Sequence, residues 1–243
     1  MYTSLVPIEW KDCKINFIDT PGYLDFAGEA EAGIAAGDSA LIVVNARDVI
    51  QSGTIKIAWE RSFRSAQLPT IFFINKLDEE HTSFEQAYEP LRETFGKSVI
   101  PFEVPIVENG EIIGSVNVLR DKAWYYKGPL ADPDKAQPVP EDMVDAVDGY
   151  KDQIAEAVAM GDDELMEKFF SGESFTEAEL TRGVRLGVRN GEIRPVFSGS
   201  ALQSIGIERL MDLIIKYFPA YGEGGNYAAY DENGEEIRFA GDQ

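Results

Sequence analysis

The 243 residues include one cysteine, Cys13, and one histidine, His81. A single thiol excludes an internal disulfide, and such sparing use of cysteine fits a reducing cytosol. There is no Cys/His set of the kind that holds zinc. Cys13 reads as a small apolar residue beside a strand, and His81 as a solvated loop residue. Cations are scarce too: 22 Lys and Arg stand against 43 Asp and Glu, a net charge of −21. That balance argues against a broad binder of phosphate backbones. No apolar run approaches the roughly 18 residues of a membrane-spanning helix. Met1 to Leu5 lacks the basic start and apolar stretch of a signal peptide. No Gly-x-x-x-x-Gly-Lys-Ser/Thr occurs, so the loop that commonly cradles nucleotide phosphates is not in this sequence. No internal repeat is visible.

Three short stretches stand out in what is present, each an apolar run ending in polar or small residues. Ile15 to Ile18 reads as a buried strand, followed by Asp19-Thr20-Pro21-Gly22. Pro21 fixes one φ and Gly22 permits a sharp turn. A carboxylate where a parallel strand ends suits the region in which α/β sheets bind ligands. There Asp19 would reach a Mg²⁺ through water, and the Gly22 N–H would approach a terminal phosphate. Downstream, Thr70 to Ile74 runs into Asn75-Lys76-Leu77-Asp78. Asp78 could accept from the N1–H and exocyclic amine of guanine together, a donor pair that adenine does not offer. The Lys76 stem can lie along the base, and Asn75 can tie this loop to its neighbours. The third stretch, Arg194 to Phe197, ends in Ser198-Gly199-Ser200-Ala201, whose backbone N–H groups could meet guanine O6. Any one of these would pass for a plain strand-to-helix turn; three in this order would not.

The run Trp10-Lys11-Asp12 through Asp19-Thr20-Pro21-Gly22-Tyr23-Leu24-Asp25-Phe26 resembles the translational GTPases, specifically elongation factor G and its paralogues. Gln51-Ser52, Asn75 to Asp78, Asp163 to Phe169, Ser198 to Ala201 and Tyr217-Phe218-Pro219 look like that family as well. The resemblance covers about residues 4 to 220. It implies an α/β fold of P-loop NTPase type, a doubly wound and mostly parallel sheet with an inserted α+β subdomain. It also implies GTP or GDP with Mg²⁺ as ligands, a ribosomal partner and a cytoplasmic location. The implied nucleotide-binding residues are Asp19, Thr20, Pro21, Gly22, Asn75, Lys76, Asp78, Ser198, Ser200 and Ala201, with Asp19 toward the metal and Gly22 and Tyr23 at the reacting phosphate.

Two departures bear on activity. The missing phosphate loop, and the strand that feeds it, lead to the expectation that the chain lacks the N-terminal part of such a domain and is inactive alone. In the family that strand lies between those placed here at 15–19 and 40–45. Tyr23 stands where elongation factors usually carry a histidine that orients the attacking water, although some paralogues share the tyrosine. A phenol can hydrogen-bond to that water but offers no imidazole. The other reading left open is an interaction module without nucleotide chemistry, binding a ribosomal partner through the acidic insertion.

Along the chain, Leu5–Trp10 is expected to pair with the Ile15–Asp19 strand, with Lys11-Asp12 near the turn. Phe26–Asp38 is expected as a helix, the switch II helix of the resembling family. Ala40–Val44 is expected as a strand buried on both faces. A helix with Ile55, Ala58, Trp59, Phe63 and Ala66 on one face should follow. Phe84–Phe95 reads as a helix and 98–107 as a strand-like run broken by Pro101 and Pro105. Asn109-Gly110 marks a hairpin, and Trp124-Tyr125-Tyr126 sits in a strand before a Pro-rich loop at 128–140. The aromatic triplet suits a small subdomain core better than a base-stacking platform. Residues 141–189 read as acidic helices, one opened by Asp162-Asp163 and another by the capping box Thr176 to Glu179. The expected division is a first nucleotide-binding part at 1–98, an insertion at 99–190, a last strand and helix at 191–220, and a linker at 221–243.

Overall fold

The computed structural model describes residues 2–65, 67–127, 130–131, 135–220, 227–230, 233 and 235–239. The side chains of residues 57, 63–65, 127, 130–131, 227–230 and 236–239 are outside that description, so Phe63 and Ala66 on the expected helix face go undescribed, as does part of the Pro-rich loop.

The first element is a two-stranded antiparallel ribbon, β1 (Ser4–Trp10) and β2 (Cys13–Asp19), in register from Ser4 opposite Asp19 to Trp10 opposite Cys13. Lys11 and Asp12 turn it with φ of 45° and 64°. Two successive left-handed residues match the twist of a tight hairpin. α1 (Ala27–Ala35) follows, then β3 (Ala40–Asn45), a π-helix (Thr54–Ser65), β4 (Thr70–Asn75) and α2 (Phe84–Phe95). The Ser83 hydroxyl caps α2 by accepting from the Gln86 N–H.

Next come β5 (Val99–Pro101), β6 (Glu103–Glu108), β7 (Glu111–Asn117), β8 (Lys122–Lys127) and β9 (Leu130–Ala131). Three helices, α3 (Val144–Met160), α4 (Asp163–Ser171) and α5 (Glu177–Asn190), lead to β10 (Arg194–Ser198) and α6 (Ile207–Tyr217). The central sheet is parallel, in the order β3-β4-β10-β5, and β6 to β9 form a separate antiparallel sheet. Within the segment expected as a linker, β11 (Tyr227–Tyr230) pairs antiparallel with β12 (Glu236–Phe239).

One continuous core links the faces. Ile71, Phe72, Ile74 and Val196 of the sheet share it with Leu91 of α2, Ile154 and Val158 of α3, Val184 and Val188 of α5 and Leu210 of α6. α3 turns one apolar stripe inward, with Val147, Ile154 and Val158 buried. Trp124 is buried in β8, where Arg209 of α6 lies 4.8 Å over its ring centre, so the aromatic triplet belongs to packing.

Four local expectations need correcting. The Asp19 strand ends an antiparallel ribbon and not a parallel strand: among the described residues β2 pairs with β1 alone. For the same reason Ile15 to Ile18 is only partly covered. β3 is not buried on both faces: it is the edge of its sheet and leaves Val43 55% exposed. The run from Ser98 to Val107 is two strands in two sheets, parted at Phe102. Its first piece, β5, pairs in parallel with β10, so the boundary expected at Val99 falls inside the central sheet.

Candidate functional site

The parallel strands β4 and β10 end side by side, with Ser198 opposite Ile74. Parallel strands of similar length deliver their following loops to one edge of the sheet, the usual place for ligands in such folds. Here two polar loops meet, and backbone bonds fasten them: the Gly199 N–H donates to the Ile74 carbonyl at 3.0 Å and the Leu77 N–H to the Gly199 carbonyl at 3.1 Å. Asn75 finishes the join. Its Oδ1 accepts from its own neighbour, Lys76 N–H, at 2.8 Å and from Ala201 N–H across the sheet at 2.9 Å. One side-chain oxygen thereby aligns the Asn75–Asp78 tetrad with Ser198–Ala201. The tie expected of Asn75 is present.

Lys76 holds φ of 68°, a left-handed conformation that costs a non-glycine residue on the order of 1 kcal/mol. Its ammonium pairs with Glu79 at 3.3 Å, beside the turn closed by Glu79 N–H on the Lys76 carbonyl at 3.1 Å. Thr82 Oγ1 donates to the Leu77 and Glu79 carbonyls and pins the far side of this turn. Asp78 is half-buried at the mouth. Its Oδ2 accepts from Gln203 Nε2 at 3.4 Å, the long end of hydrogen bonding. Gln203 had no signal in the sequence reading; its amide supplies the donor that a guanine amine would bring.

The Ser198–Ala201 loop is tight. A Cβ on Gly199 would overlap the Ile205 carbonyl, and Gly206 crosses Ser198 as closely. Ser200 is buried, and its N–H and carbonyl both bond Ile205. The backbone donors proposed for guanine O6 are therefore already used: Gly199 N–H by Ile74, Ser200 N–H by Ile205 and Ala201 N–H by Asn75. Of these, the Ala201 N–H meets a side chain at an exposed position, where a three-centre bond can form.

Asp19, Thr20, Pro21, Gly22 and Tyr23 are not bonded to this pair of loops. Among the described residues no hydrogen bond or ion pair joins them to Asn75–Asp78 or Ser198–Ala201. Asp19 is exposed at the end of β2, Thr20 is half-buried, Pro21 is buried, Gly22 is exposed and Tyr23 is 69% exposed. Gly22 instead meets Gly53, just before the π-helix, so closely that a Cβ on Gly53 would lie 2.5 Å from the Gly22 carbonyl oxygen. The described residues hold no cluster of three or more His, Cys, Asp or Glu fit for a metal ion. An exposed single carboxylate such as Asp19 does fit Mg²⁺, which keeps several waters and takes most other ligands from phosphates.

A parallel sheet packed by helices, with a carboxylate and tied polar loops at its carboxyl edge, defines a nucleotide-binding α/β domain. The chain belongs to the translational GTPases: residues 1–220 match the family model described as the elongation factor Tu GTP binding domain. It is 36% identical over 238 residues to an elongation factor G-like protein of Thermotoga maritima, covering 97% of this chain and 33% of that one. To elongation factor G of Mycoplasma pneumoniae it is 29% identical over 235 residues, covering 97% and 34%. A solved structure from Thermus thermophilus superposes with a TM-score of 0.83 at 30% identity, covering 93% of this chain and 34% of that one. The chain thus spans about a third of the length of these relatives. No helix among the described residues is long and apolar enough to cross a membrane.

Proposed function

We propose that the chain supplies the guanine-reading part of an elongation factor G-like translation factor, cytoplasmic and working on the ribosome, in which GTP hydrolysis drives a step of protein synthesis. The observation that supports it is the Asn75 bridge, which ties the loop carrying Asp78 to the loop carrying Ala201 at the carboxyl edge of a parallel sheet. In this reading Asp78 takes the N1–H and amine of guanine, displacing Gln203. Ala201 N–H is shared between Asn75 and guanine O6, and the Lys76 stem covers the base. Ser198 and Ser200 shape the loop. Asp19, with Thr20 and Pro21 forming its turn, would hold Mg²⁺ through water, and the Gly22 N–H would meet the terminal phosphate. The metal would neutralise phosphate charge. Tyr23 stands where a water-orienting side chain would act. Residues 103–190 form the inserted subdomain.

Backbone cradle and phosphate lysine supply much of triphosphate binding, and the chain has no Gly-x-x-x-x-Gly-Lys motif. Affinity of the 243 residues for GTP is therefore expected to be weak, and base selectivity is the sharper readout. Ligand-detected NMR with guanosine, adenosine and xanthosine tests it. Guanosine should bind in preference to both. Asp78→Asn should cut guanosine binding about 10- to 100-fold, the worth of a charge-assisted pair, and favour xanthosine, whose extra carbonyl accepts from the amide. Equal binding of adenosine, or an unchanged preference in the variant, overturns the reading. The interaction-module reading, favoured by the missing phosphate motif, predicts no nucleoside binding at all.

A further inference from the structure

Among the described residues the β1–β2 ribbon has no strand pairing with the central sheet, and side-chain contacts fasten both of its ends. At its turn end a single carboxylate receives two donors. Trp10 Nε1 donates to Asp212 Oδ1 at 2.7 Å, and Lys11 Nζ donates to Oδ2 at 2.7 Å. Asp212 belongs to α6, which starts directly after the Ser198–Gly206 loop. The lysine side chain is 57% exposed, and an ion pair so open to water holds little alone. The indole bond is directional and partly buried, and Trp10 also packs on the core with Ile8, Ile15 and Phe17. The left-handed Lys11-Asp12 turn fixes which way both donors face.

The other end of the ribbon is fastened differently. Thr3 Oγ1 donates to the Glu29 carbonyl of α1 at 3.1 Å, and the Thr20 methyl closes against Gly33. Ribbon and α1 thus form one piece. Since Ser4 pairs with Asp19 and Trp10 with Cys13, the Asp212 contact lies at the opposite end from Asp19, about 20 Å along the strands. Seven residue pairs join the two ends, so the ribbon can act as a lever between them. We propose that Asp212 is a positioning residue: by gripping Trp10 and Lys11 it places Asp19–Gly22, at the lever's far end, relative to the Ser198–Gly206 loop that opens α6. What the placement serves rests on the guanine-nucleotide reading; the grip itself does not.

Amide hydrogen exchange on the whole chain tests the grip. Asp212→Ala should speed exchange across Cys13–Gly22 about tenfold and leave Ile71–Ile74 and Val196–Phe197 unchanged. Trp10→Phe, which removes one donor and keeps an aromatic ring, should do the same more weakly. Unchanged exchange in the ribbon, or an equal rise through the central sheet, overturns the proposal. NMR titration with guanosine and with GDP–Mg²⁺ separates positioning from plain stability. Asp212→Ala should weaken GDP–Mg²⁺ several-fold while guanosine, held by the base loops alone, is unaffected; equal losses for both overturn it. Failure of guanosine to bind even the unaltered chain would sink the guanine reading, while the exchange data would still judge the grip.

Discussion

Gly53 and Gly22 meet backbone to backbone, and space rather than φ sets the requirement. Neither holds a left-handed conformation. A methyl at Gly53 would stand 2.5 Å from the Gly22 carbonyl oxygen, a rigid neighbour that cannot swing aside. Gly53→Ala gains at most about 1 kcal/mol of helix propensity. Forcing the two segments apart costs about 1–3 kcal/mol. The variant should therefore be net destabilised, and the strain should fall on Thr20–Tyr23. Urea unfolding reads the first effect and hydrogen exchange of that turn reads the second; a variant as stable as its parent would mean that the two loops part freely. Gln203 and Ala201 make a related point at this scale. Their groups are satisfied inside the protein, so guanine would exchange partners with them and not fill empty places.

Among the elements, α4 and α5 are joined by one residue with three tasks. Glu179 accepts from Lys168 of α4, from the Thr176 N–H at 2.9 Å and from the Thr176 hydroxyl at 2.9 Å. Thr176 Oγ1 takes the Glu179 N–H in return, which completes the capping box of α5. The Lys168 bond, then those from Thr176, hold the Glu179 carboxyl down at about 2. A depressed folded value means that its stabilisation is in place above the ordinary 4.5 and is lost as pH falls toward 2. Glu179→Gln should flatten the acid limb of the melting curve across that window, measured by circular dichroism. Thr176→Ala should cost about 0.5–2 kcal/mol at neutral pH through the lost cap. An acid limb unchanged by the glutamine would place the sensitivity elsewhere.

At the scale of the whole molecule, the antiparallel sheet and α6 close over a buried acid. Glu103 is 3% exposed on β6; its Oε1 accepts from Asn117 Nδ2 at 2.7 Å, and Arg209 of α6 faces it. Burial pushes its carboxyl up, against the opposing Asn117 bond and the Arg209 charge. The folded state therefore holds this proton more tightly than the unfolded chain does. Stability falls as pH rises from the ordinary 4.5 through the raised value. Glu103→Gln, neutral at every pH, should be more stable than its parent at neutral pH and flatter across the window, as seen in urea midpoints at several pH values. A less stable glutamine variant at pH 7 would show that the charge, paired with Arg209, supports the junction.

The sequence alone determined what lies within a few residues. Lys11-Asp12 and Asn109-Gly110 mark turns because short polar residues tolerate positive φ, and the structure has φ of 64° at Asp12 and 53° at Asn109. Thr176 to Glu179 and Asp162 mark helix starts because their oxygens meet amides two or three residues on. Asn75–Asp78 was legible as a polar tetrad closing an apolar strand, because the change from apolar to polar residues is local. Tertiary structure decided the rest, because the deciding partners are far apart in the chain. Apolar Val43 reads as buried, yet it lies on the less covered face of the edge strand β3, while Ile42 and Val44 point to the core. Val99 joins β10, 95 positions away in Arg194. The Ala201 amide is taken by Asn75, 126 residues earlier, and the Trp10 indole by Asp212, 202 residues later. Local pattern fixes a residue's conformation and its donors; only the folded chain fixes which of those donors are already bound.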